Sequence, residues 1–182
     1  MPKLIFLGTS GSVLTKERMY AGILFNDKLL DVGFGVLTNL IRSGKRLDSI
    51  NDLYISHTHS DHIGDFTGLV WAMAMEGRTK PLRIVSSSSA GAALDRILDL
   101  QSTPYAWVKF DISFVRPDDV SVKSVTTVHD PENLGYRFQT TEAISSTSET
   151  QPSPRKFLNS QKDATCSFTT PPTSMDKNRL QL

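Results

Sequence analysis

The 182-residue sequence is poor in the features that mark several large protein classes. It has one cysteine, Cys166, which excludes a disulfide framework and a zinc site built from cysteines. Charge of either sign is not in excess, because 20 Lys and Arg stand against 19 Asp and Glu. Bulk charge therefore gives no reason to expect binding to nucleic acid or to a membrane surface. No apolar run could span a bilayer, and the N-terminus lacks the architecture of a signal peptide, so we expect a cytoplasmic protein without a membrane partner.

Composition divides the chain near residue 140. Residues 141–182 contain seven Ser, seven Thr and four Pro, and no helical or strand period persists there. Segments of this kind cannot bury enough apolar surface to form a core. We therefore predict one domain over residues 1–140, followed by a Ser/Thr/Pro-rich tail over residues 141–182 that is disordered.

Hydrophobic patterning in residues 1–140 predicts a layered α/β domain. The predicted strands are Leu4–Leu7, Ala21–Phe25, Lys28–Val32, Leu53–Ser56, Leu82–Val85, Val108–Phe114, Val120–Val128 and Gly135–Phe138. Helical spacing recurs over Leu37–Ile41, Phe66–Met73 and Ala93–Leu98. The strands are too numerous and too hairpin-like for a purely parallel sheet.

The four histidines of the chain are its most informative residues. His57, His59 and His62 lie within six positions, together with Asp61, and the fourth is His129. Residues i and i+2 of an extended segment face the same side, so His57 and His59 can present two imidazoles to one ion. A turn after Ser60 would bring Asp61 and His62 alongside. Imidazole and carboxylate ligands suit zinc or a neighbouring first-row metal, and the number of groups hints at two ions.

The alternative is a polar loop that holds histidines by chance, with His129 an ordinary exposed or hydrogen-bonded residue. Three of only four histidines in six positions make that alternative the weaker one. Asp31 is either a hydrogen-bond partner of the ligating histidines or a turn residue. The loop Gly8–Ser12 either cradles phosphate through its backbone N–H groups or is a plain turn. The cations Lys16, Arg18, Arg78 and Lys80 either contact an RNA backbone or are solvated surface charges.

The segment His57-Thr58-His59-Ser60-Asp61-His62 resembles the HxHxDH motif of the metallo-β-lactamase superfamily. The segments Trp71–Leu82, Val128–Asp130 and Gly135–Arg137 are similar to the ribonuclease Z branch, which trims the 3′ end of precursor tRNA. The resemblance covers about residues 3–140. It implies an αββα sandwich of which this chain supplies mainly the N-terminal part.

The resemblance also implies a site and an activity. His57, His59 and His129 would bind one zinc ion, Asp61 and His62 would bind a second, and Asp61 would act as general base or orient the attacking hydroxide. The chain would then be a zinc-dependent hydrolase that cleaves phosphodiesters with a metal-bound hydroxide. Precursor tRNA is the candidate substrate, and a homodimer is the implied assembly.

The chain departs from the family pattern after His129. No further histidine follows, and Ser148-Glu149-Thr150 stands where the family has Gly-Asp-Thr. The residues between His129 and Glu149 are too few for the arm with which many ribonucleases Z grip tRNA. One hypothesis is that the tail is read out of frame, which the coding DNA would decide. The alternatives to a ribonuclease Z are another hydrolase of the fold, acting on small phosphodiesters or thioesters, and an inactive truncated chain.

Overall fold

The computed structural model describes residues 3–101, 107–139, 145–148 and 163–166. Within them the strands are β1 (Lys3–Gly8), β2 (Gly22–Phe25), β3 (Lys28–Leu30), β4 (Asp52–Tyr54), β5 (Leu82–Val85), β6 (Ile112–Val115), β7 (Lys123–Thr127), β8 (Asn133–Gln139), β9 (Ser145–Ser148) and β10 (Asp163–Cys166). The helices are α1 (Val36–Arg42), α2 (Ser60–Ile63), α3 (Phe66–Met75) and α4 (Ser88–Leu100), with 3-10 turns at Leu47–Ser49 and Pro117–Val120. Over these ranges we find no helix with the length and apolar character needed to cross a membrane.

Seven strands form the larger sheet in the order β6-β5-β4-β3-β2-β1-β9. The pairs β1–β2 and β2–β3 are antiparallel, whereas β3, β4, β5 and β6 run parallel to one another. Because two antiparallel steps restore the original direction, β1 also runs parallel to β3. The carboxyl ends of β1, β3, β4, β5 and β6 therefore meet at one edge of the sheet, the place where open α/β sheets bind ligands.

Alternation along the strands separates two cores. Leu29 and Leu53 face the helices, and their sequence neighbours Leu30 and Tyr54 face the second sheet. This alternation follows from the pleat of a strand, which sends successive side chains to opposite faces. Strands β2, β3 and β4 of the larger sheet are buried on both faces, because α1, α3 and α4 pack against one face and the smaller sheet against the other.

The smaller sheet has the order β10-β8-β7 and is antiparallel. Strand β8 turns Leu134, Tyr136 and Phe138 towards the larger sheet. The ring of Tyr54 contacts the rings of Tyr136 and Phe138, with centroids 5.2 Å and 4.9 Å apart. The described residues thus form three layers, helices on a large sheet on a small sheet, and the small sheet supports the strands that carry the histidine motif.

Most predicted elements in residues 1–140 are present, with corrected boundaries. The predicted strand Lys28–Val32 ends at Leu30, because Asp31 has φ +54, and the predicted strand Leu53–Ser56 ends at Tyr54. The predicted strand Val108–Phe114 begins only at Ile112, because its partner β5 begins at Leu82, which pairs with Ile112, and no β5 residue lies opposite Phe110. The predicted strand Val120–Val128 begins at Lys123, since Val120 ends the 3-10 turn that starts at Pro117.

Two short strands lie in the tail. β9 pairs in parallel with β1, and β10 pairs antiparallel with β8. The rest of residues 141–182 lies outside the described residues. The boundary at residue 140 and the disorder or frame shift of the tail stay predictions.

Candidate metal centre

The histidine motif lies at the edge of the large sheet where the parallel strands end. β4 leads through Ile55 and Ser56 into His57 and His59, and α2 begins immediately afterwards and carries Asp61 and His62. His129 lies in the turn between β7 and β8. Residues 57 and 129 are far apart in the sequence, and the pairing of the small sheet brings them together.

Three imidazole nitrogens meet at this edge. Nε2 of His57 lies 3.1 Å from Nδ1 of His59 and 3.1 Å from Nε2 of His129, and the latter two nitrogens are 3.2 Å apart. Ligands of a tetrahedral zinc ion at about 2.0–2.1 Å are separated by roughly 3.3 Å, so the observed triangle fits one such ion closely. His57 is buried, whereas His59 is exposed and His129 is half-buried, which leaves an open approach to the site.

Buried polar partners fix which nitrogen of His57 faces the site. The Ser56 hydroxyl donates its hydrogen to Oδ2 of Asp31 at 2.8 Å. Ser56 Oγ, which lies 3.0 Å from Nδ1 of His57, is therefore the acceptor for the Nδ1–H of His57. Nε2 of His57 then carries the lone pair that a metal requires. Burial, with the neighbouring imidazoles of His62, His129 and His59, lowers the pKa of His57 to about 3, so the ring is neutral at physiological pH.

His62 is held in the same way. Its Nδ1–H donates to Oδ2 of Asp31 at 2.8 Å, and its Nε2 lies 3.6 Å from Oδ2 of Asp61. Burial lowers the pKa of His62, but the hydrogen bond and charge of Asp31, with Asp61, raise it overall. The rings of His57 and His62 are adjacent, with centroids 4.1 Å apart. Nε2 of His62 and the carboxylate of Asp61 therefore lie next to the three-histidine group as a second pair of donors.

Asp31 is the centre of this arrangement. Its Oδ2 accepts the bonds from Ser56 Oγ and His62, and its Oδ1 accepts a bond of 2.8 Å from the Ser56 backbone N–H. The side chain of Asp31 is fully buried. Asp31 has φ +54, a conformation that Asp and Asn adopt more readily than most residues. The structure therefore supports the first of the two alternatives for Asp31, that it is a hydrogen-bond partner of the histidines.

The loop between β3 and α1 is tied directly to the motif. The Val32 N–H donates to the carbonyl of His62 at 2.7 Å, and the Asp65 N–H donates to the carbonyl of Val32 at 2.9 Å. The Asp65 carboxylate accepts from the N–H groups of Gly35 and Leu37 at 2.8 Å and 2.9 Å. Burial raises the pKa of Asp65 and outweighs these two bonds, which lower it. Together these bonds hold the start of α1 and the end of α2 as one unit.

Strand β8 holds the motif from the other side. The Leu134 N–H donates to the carbonyl of Ser56 at 2.9 Å. The buried Tyr136 hydroxyl lies 2.7 Å from the carbonyl oxygen of Ile55 and 3.1 Å from that of Val85. Sequence reasoning noted Gly135-Tyr136-Arg137 only as part of a resemblance and did not assign this contact.

The structure also corrects the interpretation of Arg78. Both alternatives, an RNA contact and a solvated surface charge, are wrong, because the guanidinium is buried. It donates to the carbonyls of Lys80 and Pro81 at 2.7 Å and 2.6 Å and lies 5.4 Å from the centroid of the Phe110 ring. Arg78 is a structural link between the loop after α3 and the turn at residues 47–49.

A family model described as Anti-Pycsar protein Apyc1 matches residues 2–170. The chain belongs to this family. The match of the Apyc1 family model runs past residue 140 into the tail.

Other similar proteins carry the name ribonuclease Z. The ribonuclease Z of Methanococcus maripaludis strain C6 is 34% identical over 149 residues, which cover 75% of this chain and 48% of that protein. The chain thus spans about half the length of the relatives it matches. The human tRNase Z, short form, superposes with a TM-score of 0.62 at 19% identity, covering 75% of this chain and 63% of that one. YhfI of Bacillus subtilis, a metallo-β-lactamase fold protein, gives 0.56 at 20% identity, over 74% and 56% of the chains. The predicted metallo-β-lactamase fold and the resemblance to ribonuclease Z are confirmed.

Proposed function

We propose that this chain is a metal-dependent phosphodiester hydrolase of the ribonuclease Z type. The observation that carries the proposal is the triangle of imidazole nitrogens from His57, His59 and His129, with sides of 3.1–3.2 Å. The similarity to ribonuclease Z relatives supports the hydrolase class.

The donor set fits zinc. His57, His59 and His129 would hold one ion, and Asp61 with His62 would contribute to a second. When bound, zinc supplies a Lewis acid for a phosphoryl oxygen and lowers the pKa of a water molecule to about 7. The neutral state of His57 and the tautomer fixed by Ser56 leave Nε2 of His57 ready for this role. At His62, whose pKa is raised, a metal ion would have to displace the proton on Nε2.

The remaining chemistry belongs to residues of the chain. The carboxylate of Asp61, 3.6 Å from Nε2 of His62, would orient the attacking water and accept its proton. Its side chain is 16% exposed, so a proton can leave to solvent. Asp31 and Ser56 touch no substrate in this proposal and serve to position the histidines.

Precursor tRNA is the first candidate substrate, by similarity to the relatives named ribonuclease Z and tRNase Z. A small phosphodiester is the second candidate substrate, and one observation favours it. Only residues 140–144 separate β8 from β9, which leaves no room there for an arm that grips tRNA. The homodimer and the cytoplasmic location stay predictions.

Hydrolysis assays on the full chain test the proposal. With zinc supplied, the chain should hydrolyse bis(p-nitrophenyl) phosphate, and His59→Ala should abolish the activity while Asp95→Ala, an exposed carboxylate on α4, leaves it unchanged. Cleavage of a precursor tRNA at its 3′ end would identify the first substrate, and hydrolysis of the small ester alone would favour the second. An unaffected rate in His59→Ala would remove the metal assignment.

A further inference from the structure

The turn that carries His129 is held by few contacts. It comprises residues 128–132 between β7 and β8, and Val128 at its start is fully exposed. Within the part of the chain that the structure describes, no backbone group of this turn bonds to another backbone group outside the strand pairing. Its side chains make polar contacts at two points there, where His129 meets the other imidazoles and where Glu132 forms one hydrogen bond. The position of His129 therefore depends on Glu132 more than on the turn itself.

Glu132 reaches the first turn of helix α4. The Ser89 hydroxyl donates to Oε2 of Glu132 at 3.1 Å. Because Ser89 gives its single hydroxyl hydrogen to this carboxylate, the Ser87 hydroxyl, 3.0 Å away, donates to Ser89 Oγ. Ser87 Oγ accepts in turn from the Ala90 N–H at 3.2 Å and caps the helix. The bonds thus run in one direction, from the N–H of Ala90 to the carboxylate of Glu132, and bonds in such a chain strengthen one another.

The start of α4 gives Glu132 a fixed and favourable partner. The helix has 13 residues, and its N-terminus carries the positive end of the helix dipole, which favours a carboxylate. Ser87 is buried, and the Ser86 N–H donates to the Val115 carbonyl at 3.1 Å, which ties the cap to β6. Because α4 follows β5, whose neighbour β4 leads into the histidine motif, the contact joins the His129 turn to the frame that carries the other ligands.

We propose that Glu132 is a positioning residue for His129, and that its hydrogen bond with Ser89 holds the turn so that Nε2 of His129 stays beside the nitrogens of His57 and His59. Glu132 would act on the metal only through His129. A turn that is held in advance loses less freedom when the ion binds, so the contact adds to metal affinity. This inference rests on the proposed function for the shared metal ion and deepens it by one residue pair.

Zinc affinity of the full chain, measured by competition with a chelator, tests the contact apart from activity. Ser89→Ala and Glu132→Ala should each weaken zinc binding about three- to tenfold, the effect of losing one hydrogen bond. The double variant should bind zinc no more weakly than either single variant, because both changes remove the same contact. A purely structural role would instead lower the urea midpoint of the metal-free chain and leave the zinc affinity of the folded chain at the parent's value, which would overturn the proposal.

Two further variants sharpen the comparison. Glu132→Gln keeps an oxygen that can accept from Ser89 and should recover most of the parent's zinc affinity, whereas Asp95→Ala, which removes an exposed carboxylate from the same helix, should leave it unchanged. Losses that add in the double variant, or a Glu132→Gln chain that binds zinc as weakly as Glu132→Ala, would also overturn the proposal.

Hydrolysis assays separate this inference from the proposed function. Zinc binding that depends on Ser89 and Glu132 without any phosphodiester hydrolysis would overturn the proposed function and leave the positioning role in place. Hydrolysis by a chain whose zinc affinity is the same in both alanine variants would do the reverse. A chain that takes up no zinc would overturn both.

Discussion

Replacing Asp31 by alanine removes the acceptor that joins the two halves of the histidine motif. Three donors, the Ser56 N–H, the Ser56 hydroxyl and His62 Nδ1–H, each lose a bond of 2.8 Å in a buried position. Breaking a buried charged pair on one side costs about 3–5 kcal/mol. We expect a loss of that size in the free energy of unfolding, a large share of the roughly 5–15 kcal/mol of an ordinary domain.

Asp31→Asn separates stability from metal binding. Asparagine tolerates the positive φ and keeps one acceptor for the Ser56 N–H, so we expect a smaller loss of about 1–2 kcal/mol. Its amide would face the Nδ1–H of His62 and favour the other tautomer, whose Nε2 cannot ligate. Loss of such a supporting carboxylate typically lowers metal affinity about 10–100-fold.

Urea unfolding of the metal-free chain and competition titration with a zinc chelator measure the two effects. The exposed Asp95→Ala should stay within about 0.5 kcal/mol of the parent and serves as the control. An unfolding free energy of Asp31→Ala within that same margin, together with unchanged zinc affinity, would refute the role given to Asp31.

Three further predictions concern the surroundings of the site. Tyr136→Phe should cost about 1 kcal/mol in urea unfolding, because the carbonyls at the ends of β4 and β5 lose their donor. Gly64→Ala should cost about 1–3 kcal/mol, since the new methyl must displace the Phe34 ring; a melting temperature equal to the parent's would contradict this contact. The raised pKa of Asp65 means that the folded state resists its ionisation, so the stability from its neutral form is present at low pH and is lost as the pH rises through that pKa. Asp65→Asn, which cannot ionise, should therefore gain stability relative to the parent as the pH rises above about 4, the ordinary pKa of an aspartate, and a constant difference would speak against the shift.

The sequence made part of this site predictable. His57 and His59 share a side because an extended chain repeats every two residues, and the resemblance added His129. The roles of Ser56 and Tyr136 could not be predicted, because serine and tyrosine are common and these roles depend on groups that tertiary pairing brings from β3 and β8. The interpretation of Arg78 from the sequence was wrong, because a local pattern does not show that its guanidinium is buried against carbonyls of its own turn and of a distant part of the chain.

The same limit applies to strand boundaries. Val108 and Phe110 continue the alternation of Ile112 and Phe114 and pack against the same core, but pairing begins only where Ile112 meets Leu82, the first residue of β5. Periodicity reports which residues are buried, and only the packed structure shows which of them also pair.

In the proposed site, His57, His59 and His129 share one metal ion. Titration of the metal-free chain with Co²⁺ tests this, because tetrahedral Co²⁺ absorbs visible light strongly and six-coordinate Co²⁺ does so weakly. We predict an intense visible spectrum that saturates with at least one ion per chain, a melting temperature that rises with the metal, and loss of both in His129→Ala. A His129→Ala chain with the parent's spectrum and affinity would contradict the account.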